Sequence, residues 1–460
     1  MSLMRRLLQA LGLGDDSTII IRGEDGVTVV NGVTIVGGQT IIDGQTITVN
    51  GQEVKIDFGP ETERTFEASG PISDAVSLSK EVSGLGLRLR NFNADILVVA
   101  TDQVKTPVVT VTGPQKIVES ITSGLNDGFF ELTVQERELV TVLQLSAQTL
   151  ATILALGERP NLQVQAKVPI GAALSFKKSG GSIDTQGVLG DLDGKLSFGT
   201  KLDGETFSSV KLDAGQNSRI NIGSMNGRLS AELSFGTKLQ VCAGIISSCD
   251  INTGQNSKVS IGAGNTESFT VKLGYGSKLY SRAQAGKVSV NTGQNSRVEF
   301  GTVTDSVTAQ LSFGTHFSVS DGQQLDSVKI NTGPNSQLRL TAESVHTLRL
   351  DLGYGTQLNI EAQVRAATVN TGPNSKLFFT SASDINSLDA TLSHGNTLEC
   401  GGSVLTFKLD AGQRSRITVA GGVNAGSLQT AFGAIVRARR VSSAVDTRGM
   451  SERSELITSE

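Results

Sequence analysis

The sequence predicts an all-β protein whose main body is a single-stranded β-helix or solenoid, right-handed in expectation, preceded by a small β-rich region. Three observations predict it. An eight-residue pattern returns twelve times between Leu196 and Ile417, apolar and polar residues alternate within each repeat, and a glycine or asparagine holds one fixed place in eleven of the twelve repeats.

Each repeat closes on a hydroxyl, usually a base, and an apolar residue, as in Thr237-Lys238-Leu239, Ser257-Lys258-Val259 and Ser277-Lys278-Leu279. Leu202 and Ile417 are 215 residues and eleven intervals apart, a mean coil of about 19.5 residues. A unit this short cannot bury its own apolar face and must lean on its neighbours, which makes the chain a solenoid. Alternation in Val210-Lys211-Leu212 and Val328-Lys329-Ile330 has the period of strands, whereas helical repeats are longer.

The residue before each hydroxyl must turn a corner. It is Gly199, Asn217, Gly236, Asn256, Gly276, Asn295, Gly314, Asn335, Gly355, Asn374, Gly395 and finally Arg414. Glycine and asparagine are the residues that most readily adopt positive φ, so a left-handed residue is expected once per coil. Arg414 departs from the pattern and predicts that the last coil is irregular or near a cap. Strict alternation makes the true repeat a pair of coils. One carries an aromatic corner, such as Ser234-Phe235-Gly236 or Gly274-Tyr275-Gly276, and the other Gly-Gln-Asn or Gly-Pro-Asn. Counting parity from the flanking apolar residues, the aromatic ring is expected to point inward as a corner filler.

Taken in order along the chain, residues 1–16 form an amphipathic segment. Leu3, Met4, Leu7, Leu8 and Leu11 share one helical face, with Arg5 and Arg6 on its flank. It is expected to dock on the protein or fray, with peripheral membrane contact through residues 1–14 as the alternative. No apolar core with a small-residue cleavage site follows, so the expected location is cytoplasmic. Residues 17–58 are short β-branched runs punctuated by Gly26, Gly32, Gly38, Gly44 and Gly51, read as a small β-prism or a chain of hairpins. Residues 59–170 are an irregular β region with strands at Leu87 to Val99, Val108 to Val111, Gly128 to Val134 and Leu162 to Val168. Leu139 to Gly157 is uncharged, but too rich in Thr, Gln and Ser for a bilayer span. The solenoid occupies 171–433, and the arginine-, serine- and glutamate-rich residues 434–460 are expected to form a disordered tail.

Composition narrows the function. A net charge of −4 gives no general attraction for nucleic acid. Cys242, Cys249 and Cys400 are too few for a disulfide framework and lack paired metal spacing; Cys400 is expected in the core. His316, His346 and His394 are scattered, the acids do not follow a calcium-loop pattern, and no cofactor is expected. Twelve equivalent Ser, Thr or Asn positions have no neighbouring base and are expected to form a hydrogen-bonded ladder, not a set of nucleophiles. Outward acids such as Asp203, Asp213, Glu232 and Asp250 are dispersed, which argues against a sugar-cleaving site.

Lys201, Arg219, Lys238, Lys258, Lys278, Arg297, Lys376 and Arg416, with His316, occupy nine of the twelve equivalent outward positions. Like charges one rung apart, at ~5 Å, repel by roughly 1 kcal/mol even in water. The strip is either a landing place for a polyanion or a solvated face relaxed by nearby acids. An acidic chain without interleaved aromatics on the strip favours the solvated face.

The motifs Val168-Pro169-Ile170-Gly171-Ala172, Gly180-Gly181-Ser182-Ile183-Asp184 and Gly190-Asp191-Leu192-Asp193-Gly194 resemble the bacterial "putative adhesin" family with the GIN, or DUF4097-type, domain. There a Val-Pro strand opens a run of glycine-punctuated coils. The resemblance covers about residues 80–433 and implies a stacked right-handed coil with no established chemistry. Missing a secretion signal, this chain departs from a surface adhesin. By architecture it is also similar to the polymerising bactofilins. The expected function is therefore a non-enzymatic scaffold that self-assembles, as a homo-oligomer or polymer, or docks a partner through the solenoid ends or the amino-terminal strands. An adhesin-like module binding polyanion or carbohydrate is the alternative, and a carbohydrate-active β-helix enzyme comes third.

Overall fold

A computed structural model describes residues 60–68, 85–135, 162–380 and 384–458, together with six short strands between Ile19 and Val54. The expected segment 1–16, its membrane contact and the stretch Leu139 to Gly157 lie outside the described residues. The chain divides into two units, Met1–Gly187 and Val188–Glu460.

In the first unit the glycine-punctuated region is antiparallel. Val27–Val30 pairs with Val33–Val36, and Thr40–Asp43 lies between Ile19–Ile20 and Thr46–Val49, which in turn pairs with Gln52–Val54. Asn31-Gly32 and Asn50-Gly51 separate paired strands, dipeptides suited to two-residue hairpin connections.

Within 59–170, expected to be irregular, the described residues form paired strands. Val108–Pro114 runs antiparallel to both Glu61–Glu67 and Gln163–Pro169, and a five-residue helix, Gln115–Glu119, leads into the hairpin Ile121–Asn126 with Phe129–Val134. Coil stacking already begins here. Gly86–Arg90 and Asn93–Thr101 are joined at Asn91, φ 62°, and Leu174–Val188 lies parallel on both, placing Leu87 against Leu174 and Ile96 against Ile183. Apolar residues fill the interval between such layers, with Phe92, Leu89 and Val98 wholly buried.

The second unit is a β-solenoid of parallel coils of about 19 residues. Register is continuous. Leu202, Ile220, Leu239, Val259, Leu279, Val298, Phe317, Leu338, Leu358, Leu377, Leu398, Ile417 and Val436 pair in succession and form one inward column, every member at most 4% exposed. A second inward column two residues on runs through Ile222, Val241, Ile261, Ser281, Phe300 and Val319. The opposite wall repeats the device, with Leu229 against Cys249 and Cys249 against Phe269. Phe269, Phe300 and Phe317 pack as neighbouring rings, the first two edge to face at 5.3 Å between centroids.

Thirteen corners carry positive φ, from Gly199 at 68° to Gly433 at 69°. Asn217, Asn256, Asn295, Asn335 and Asn374 lie between 54° and 57°. Arg414 has φ 56°, so its corner does not depart from the others, and the irregularity of this coil lies further on, in register shifts between Val419 and Gly422 and between Ser427 and Gln429. Nor does the solenoid stop at residue 433. Ile435–Val441 and Val445–Met450 stack on Arg416–Thr430, and Glu455–Thr458 stacks on Ile435–Val441. Alternation explains why the disordered tail expected at 434–460 is wrong: Arg437 and Arg439 face solvent while Val436 and Ala438 are buried.

The alternation of glycine and asparagine has a steric cause. A Cβ placed on Gly236, Gly276, Gly314, Gly355 or Gly395 would lie 2.5 to 2.6 Å from the side-chain Oδ1 of the asparagine one coil earlier. Each asparagine amide occupies the space above itself, so a side chain at the corner of the next coil would have to displace it.

Candidate functional site

The second unit presents its polar chemistry as outward columns along the same corner. Backbone hydrogen bonds fix them. The left-handed residue of each coil donates its N–H to the carbonyl of the preceding corner position in the next coil: Gly236 to Gln255 at 2.9 Å, Asn256 to Tyr275 at 2.8 Å and Gly276 to Gln294 at 2.9 Å. These bonds recur from Gly199 to Arg414, so side chains at the corner stand one rung apart.

The basic strip is one such column. Lys201, Arg219, Lys238, Lys258, Lys278 and Arg297 pair in direct succession over six coils. The column continues through His316, Gln337, Gln357, Lys376, Thr397 and Arg416. Its charge is partly offset within the strip. Lys201 bridges Asp203, Arg297 bridges Glu299, and the Lys258 ammonium lies over the Tyr280 ring at 5.4 Å. The Glu299 contact holds the Arg297 guanidinium above its ordinary pKa, chiefly through the hydrogen bond. A shallow open depression of about 380 Å³ spans this part of the wall, with Arg297, Glu299, His316 and Arg339 on its lining.

The aromatic column lies elsewhere than expected. Phe198, Phe235, Tyr275, Phe313, Tyr354 and Phe432 are not inward fillers; they are 43 to 50% exposed. Parity fails because three consecutive corner residues point outward between two buried ones, as Ser197, Phe198 and Gly199 do between Leu196 and Thr200. The intervening coils place Gln216, Gln255, Gln294, Pro334, Pro373 and Gln413 in the same column, all exposed, with His394 completing the aromatic series. Tyr275 is tied to the adjoining column by a hydrogen bond from Asn295 Nδ2 to its hydroxyl at 3.3 Å.

The hydroxyl ladder is buried. Thr200, Ser218, Thr237, Ser257, Ser277, Ser296, Thr315, Ser336, Thr356, Ser375 and Ser415 are at most 2% exposed. Rather than chaining to one another, most donate to a main-chain carbonyl of an earlier corner: Ser257 to Ser234 at 2.9 Å, Ser277 to Gly254 at 2.8 Å, Ser375 to Gly353 at 2.9 Å. At the one amide, Asn396 Nδ2 donates to the Ser393 carbonyl at 2.8 Å and to Thr371 Oγ1 at 2.6 Å. Committed donors in a dry interior have no base beside them and no substrate path, which makes them structural.

Cys249 and Cys400 are buried in the core, as expected for Cys400, and burial pushes both thiols up, Cys400 to about 12. They are inert protonated thiols at neutral pH. Cys242 is exposed.

Comparison with known proteins adds no argument about the site. No family model matches the chain, and no curated protein matches it. Among solved structures, a "putative adhesin" from Parabacteroides distasonis is similar at 9% identity, covering 87% of this chain and 98% of that chain, with a TM-score of 0.18. A "putative adhesin" from Parabacteroides merdae is similar at 8% identity, over 72% of this chain and 96% of that chain, with a TM-score of 0.23. A "putative lipid binding protein" from Parabacteroides distasonis is similar at 10% identity, over 72% and 97%, with a TM-score of 0.20. At such identities and TM-scores no role passes from them to this chain.

Proposed function

We propose that this protein is a non-enzymatic, adhesin-like binding solenoid that presents a recognition surface along its length. The observation carrying this reading is the set of outward corner columns held in backbone register from Gly199 to Arg414, beside which the repeated Ser and Thr ladder is buried. Equivalent groups repeated at one-rung spacing suit a long ligand gripped at many weak points, because linked contacts multiply into avidity. A polymer-binding panel tests it: the purified chain is expected to be retained by at least one extended polymer and to leave that polymer unshortened. Shortening of the polymer would instead make the protein an enzyme.

A second reading, self-assembly, is favoured by the last strand. Glu455–Thr458 pairs on one side only among the described residues, and Leu456 and Ile457 are 36% and 39% exposed. Such an edge offers unpaired backbone groups to another chain. Sedimentation velocity is expected to show concentration-dependent association that Leu456→Lys with Ile457→Lys abolishes. A wild-type chain that stays monomeric at high concentration removes this reading.

A further inference from the structure

The aromatic column has a spacing, a polarity and a width that together select a ligand. Phe198, Phe235, Tyr275, Phe313, Tyr354 and Phe432 stand on alternate coils, except where His394 intervenes, so consecutive rings are two rungs or ~9.6 Å apart. Single-coil spacing would stack the rings on one another and hide their faces. Two-coil spacing leaves each ring 43 to 50% exposed and free to take a partner.

The positions between the rings are Gln or Pro, and the neighbouring column is Gly or Asn until Arg414. The two columns therefore bear no formal charge from Phe198 to Gln413, with His394 counted neutral. They offer apolar faces alternating with primary amides, each amide both donating and accepting hydrogen bonds. Charge complementarity points to an uncharged polymer that has apolar faces and many hydroxyls. A pyranose ring has such a face, made of C–H groups, with hydroxyls around its rim. In an extended β-1,4-linked chain, successive sugars are turned over, so every second sugar presents the same face to one side. That two-sugar advance is about the length that separates the rings here.

We propose that this corner is a binding site for an extended, uncharged β-1,4-linked polysaccharide lying along the solenoid. Every second sugar stacks on an aromatic ring, and the intervening amides of Gln216, Gln255, Gln294 and Gln413 bind hydroxyls of the sugars between. This deepens the binding reading given above and rests on it. The basic strip lies one buried residue beyond the Asn column and borders the site without entering it.

The test is affinity electrophoresis of the full chain through hydroxyethyl cellulose, a soluble uncharged β-1,4-glucan, in parallel with retention on heparin. Wild-type protein is expected to be retarded by the glucan equally at low and high salt. A variant carrying Phe235→Ala, Tyr275→Ala and Phe313→Ala is expected to bind more than ~tenfold more weakly, since each lost ring contact removes about two- to tenfold. Lys238→Ser with Lys258→Ser and Lys278→Ser is expected to leave glucan binding unchanged, and so is Tyr275→Phe, which keeps the ring. Should the triple ring variant fail to fold, Tyr275→Ala alone carries the test, with a loss of about threefold.

No retardation by the glucan, or retardation indifferent to the rings, overturns the proposal. Salt-sensitive heparin retention lost only in the lysine variant, with no retardation by the glucan, overturns it while leaving the broader binding reading in place. Binding to neither polymer, with the ring variant turning an oligomer into a monomer, makes the column a contact between copies and overturns both.

Discussion

At the scale of single residues, one amide decides what its neighbour can be. Asn256 Oδ1 lies 2.6 Å from where a Cβ on Gly276 would stand, and Gly276 itself has φ +66°. Gly276→Ala therefore meets two penalties, a left-handed backbone of about 1 kcal/mol and a collision with the amide. The expected loss is about 2 to 3 kcal/mol in denaturant unfolding, falling to about 1 kcal/mol when Asn256→Gly is already present. Equal losses in both backgrounds would show that the amide does not exclude the methyl group. The left-handed corners themselves are legible in the amino acids, because glycine and asparagine are the residues that tolerate them. Their alternation is legible only as a pattern; its cause is a distance between coils that no linear spacing contains. Arg414 misleads for the same reason. It takes φ 56° under the constraint of its stacked neighbours, where its own preference is against it.

Among elements, strands are read well where apolar and polar residues alternate and poorly where the chain bends. Val108 to Val111 and Leu162 to Val168 lie within or against observed strands, whereas Gln115–Glu119 is too short to show a helical period. Parity misplaces the aromatic ring because residues stop alternating at a corner. Terminal arginines similarly concealed a strand whose alternate members are buried. One ionic group ties several strands of the first unit together. Arg88 Nη1 lies 3.2 Å from Glu131 Oε2 and Arg90 Nε 3.1 Å from Oε1, with Arg88 also over the Phe129 ring at 4.4 Å. Burial opposes charge on Glu131. The Arg88 hydrogen bond, the Arg90 charge and bonds from Asn126 and Thr133 outweigh it, holding the carboxyl below its ordinary value of 4.5. A lowered folded pKa means that this group stabilises the fold fully above about pH 4.5 and progressively less as acid protonates it. Glu131→Gln is expected to lose about 2 kcal/mol at neutral pH, with the difference from wild type narrowing well below pH 4.5. Denaturant unfolding at both conditions checks it, and a difference independent of pH would assign the loss to packing.

For the molecule as a whole, the architecture was legible because a period of about 19.5 residues admits few other solutions, and the inward column of Leu239, Val259 and Leu279 follows from it. The candidate site was half legible: the basic strip by position, the aromatic column by composition but not by direction. Solenoid stability is close to a sum over units and their interfaces, so shortening is tolerable when interfaces survive. Removing residues 277–314 joins Gly276 to Thr315 and keeps glycine over asparagine. Removing 257–276 takes out less chain but sets Asn295 directly above Asn256. The shorter deletion is expected to lower Tm by several degrees more than the longer one. A Tm that simply tracks the number of residues removed would mean that coils are interchangeable.

The outward aromatic column also equips the protein with its own optical probe. The chain has no tryptophan and three tyrosines, of which Tyr275 and Tyr354 stand in that column with about half their surface in water. Ultraviolet-excited emission from the unlabelled protein therefore originates largely at the face where contact with any partner would quench or shift it, and a titration needs no attached dye.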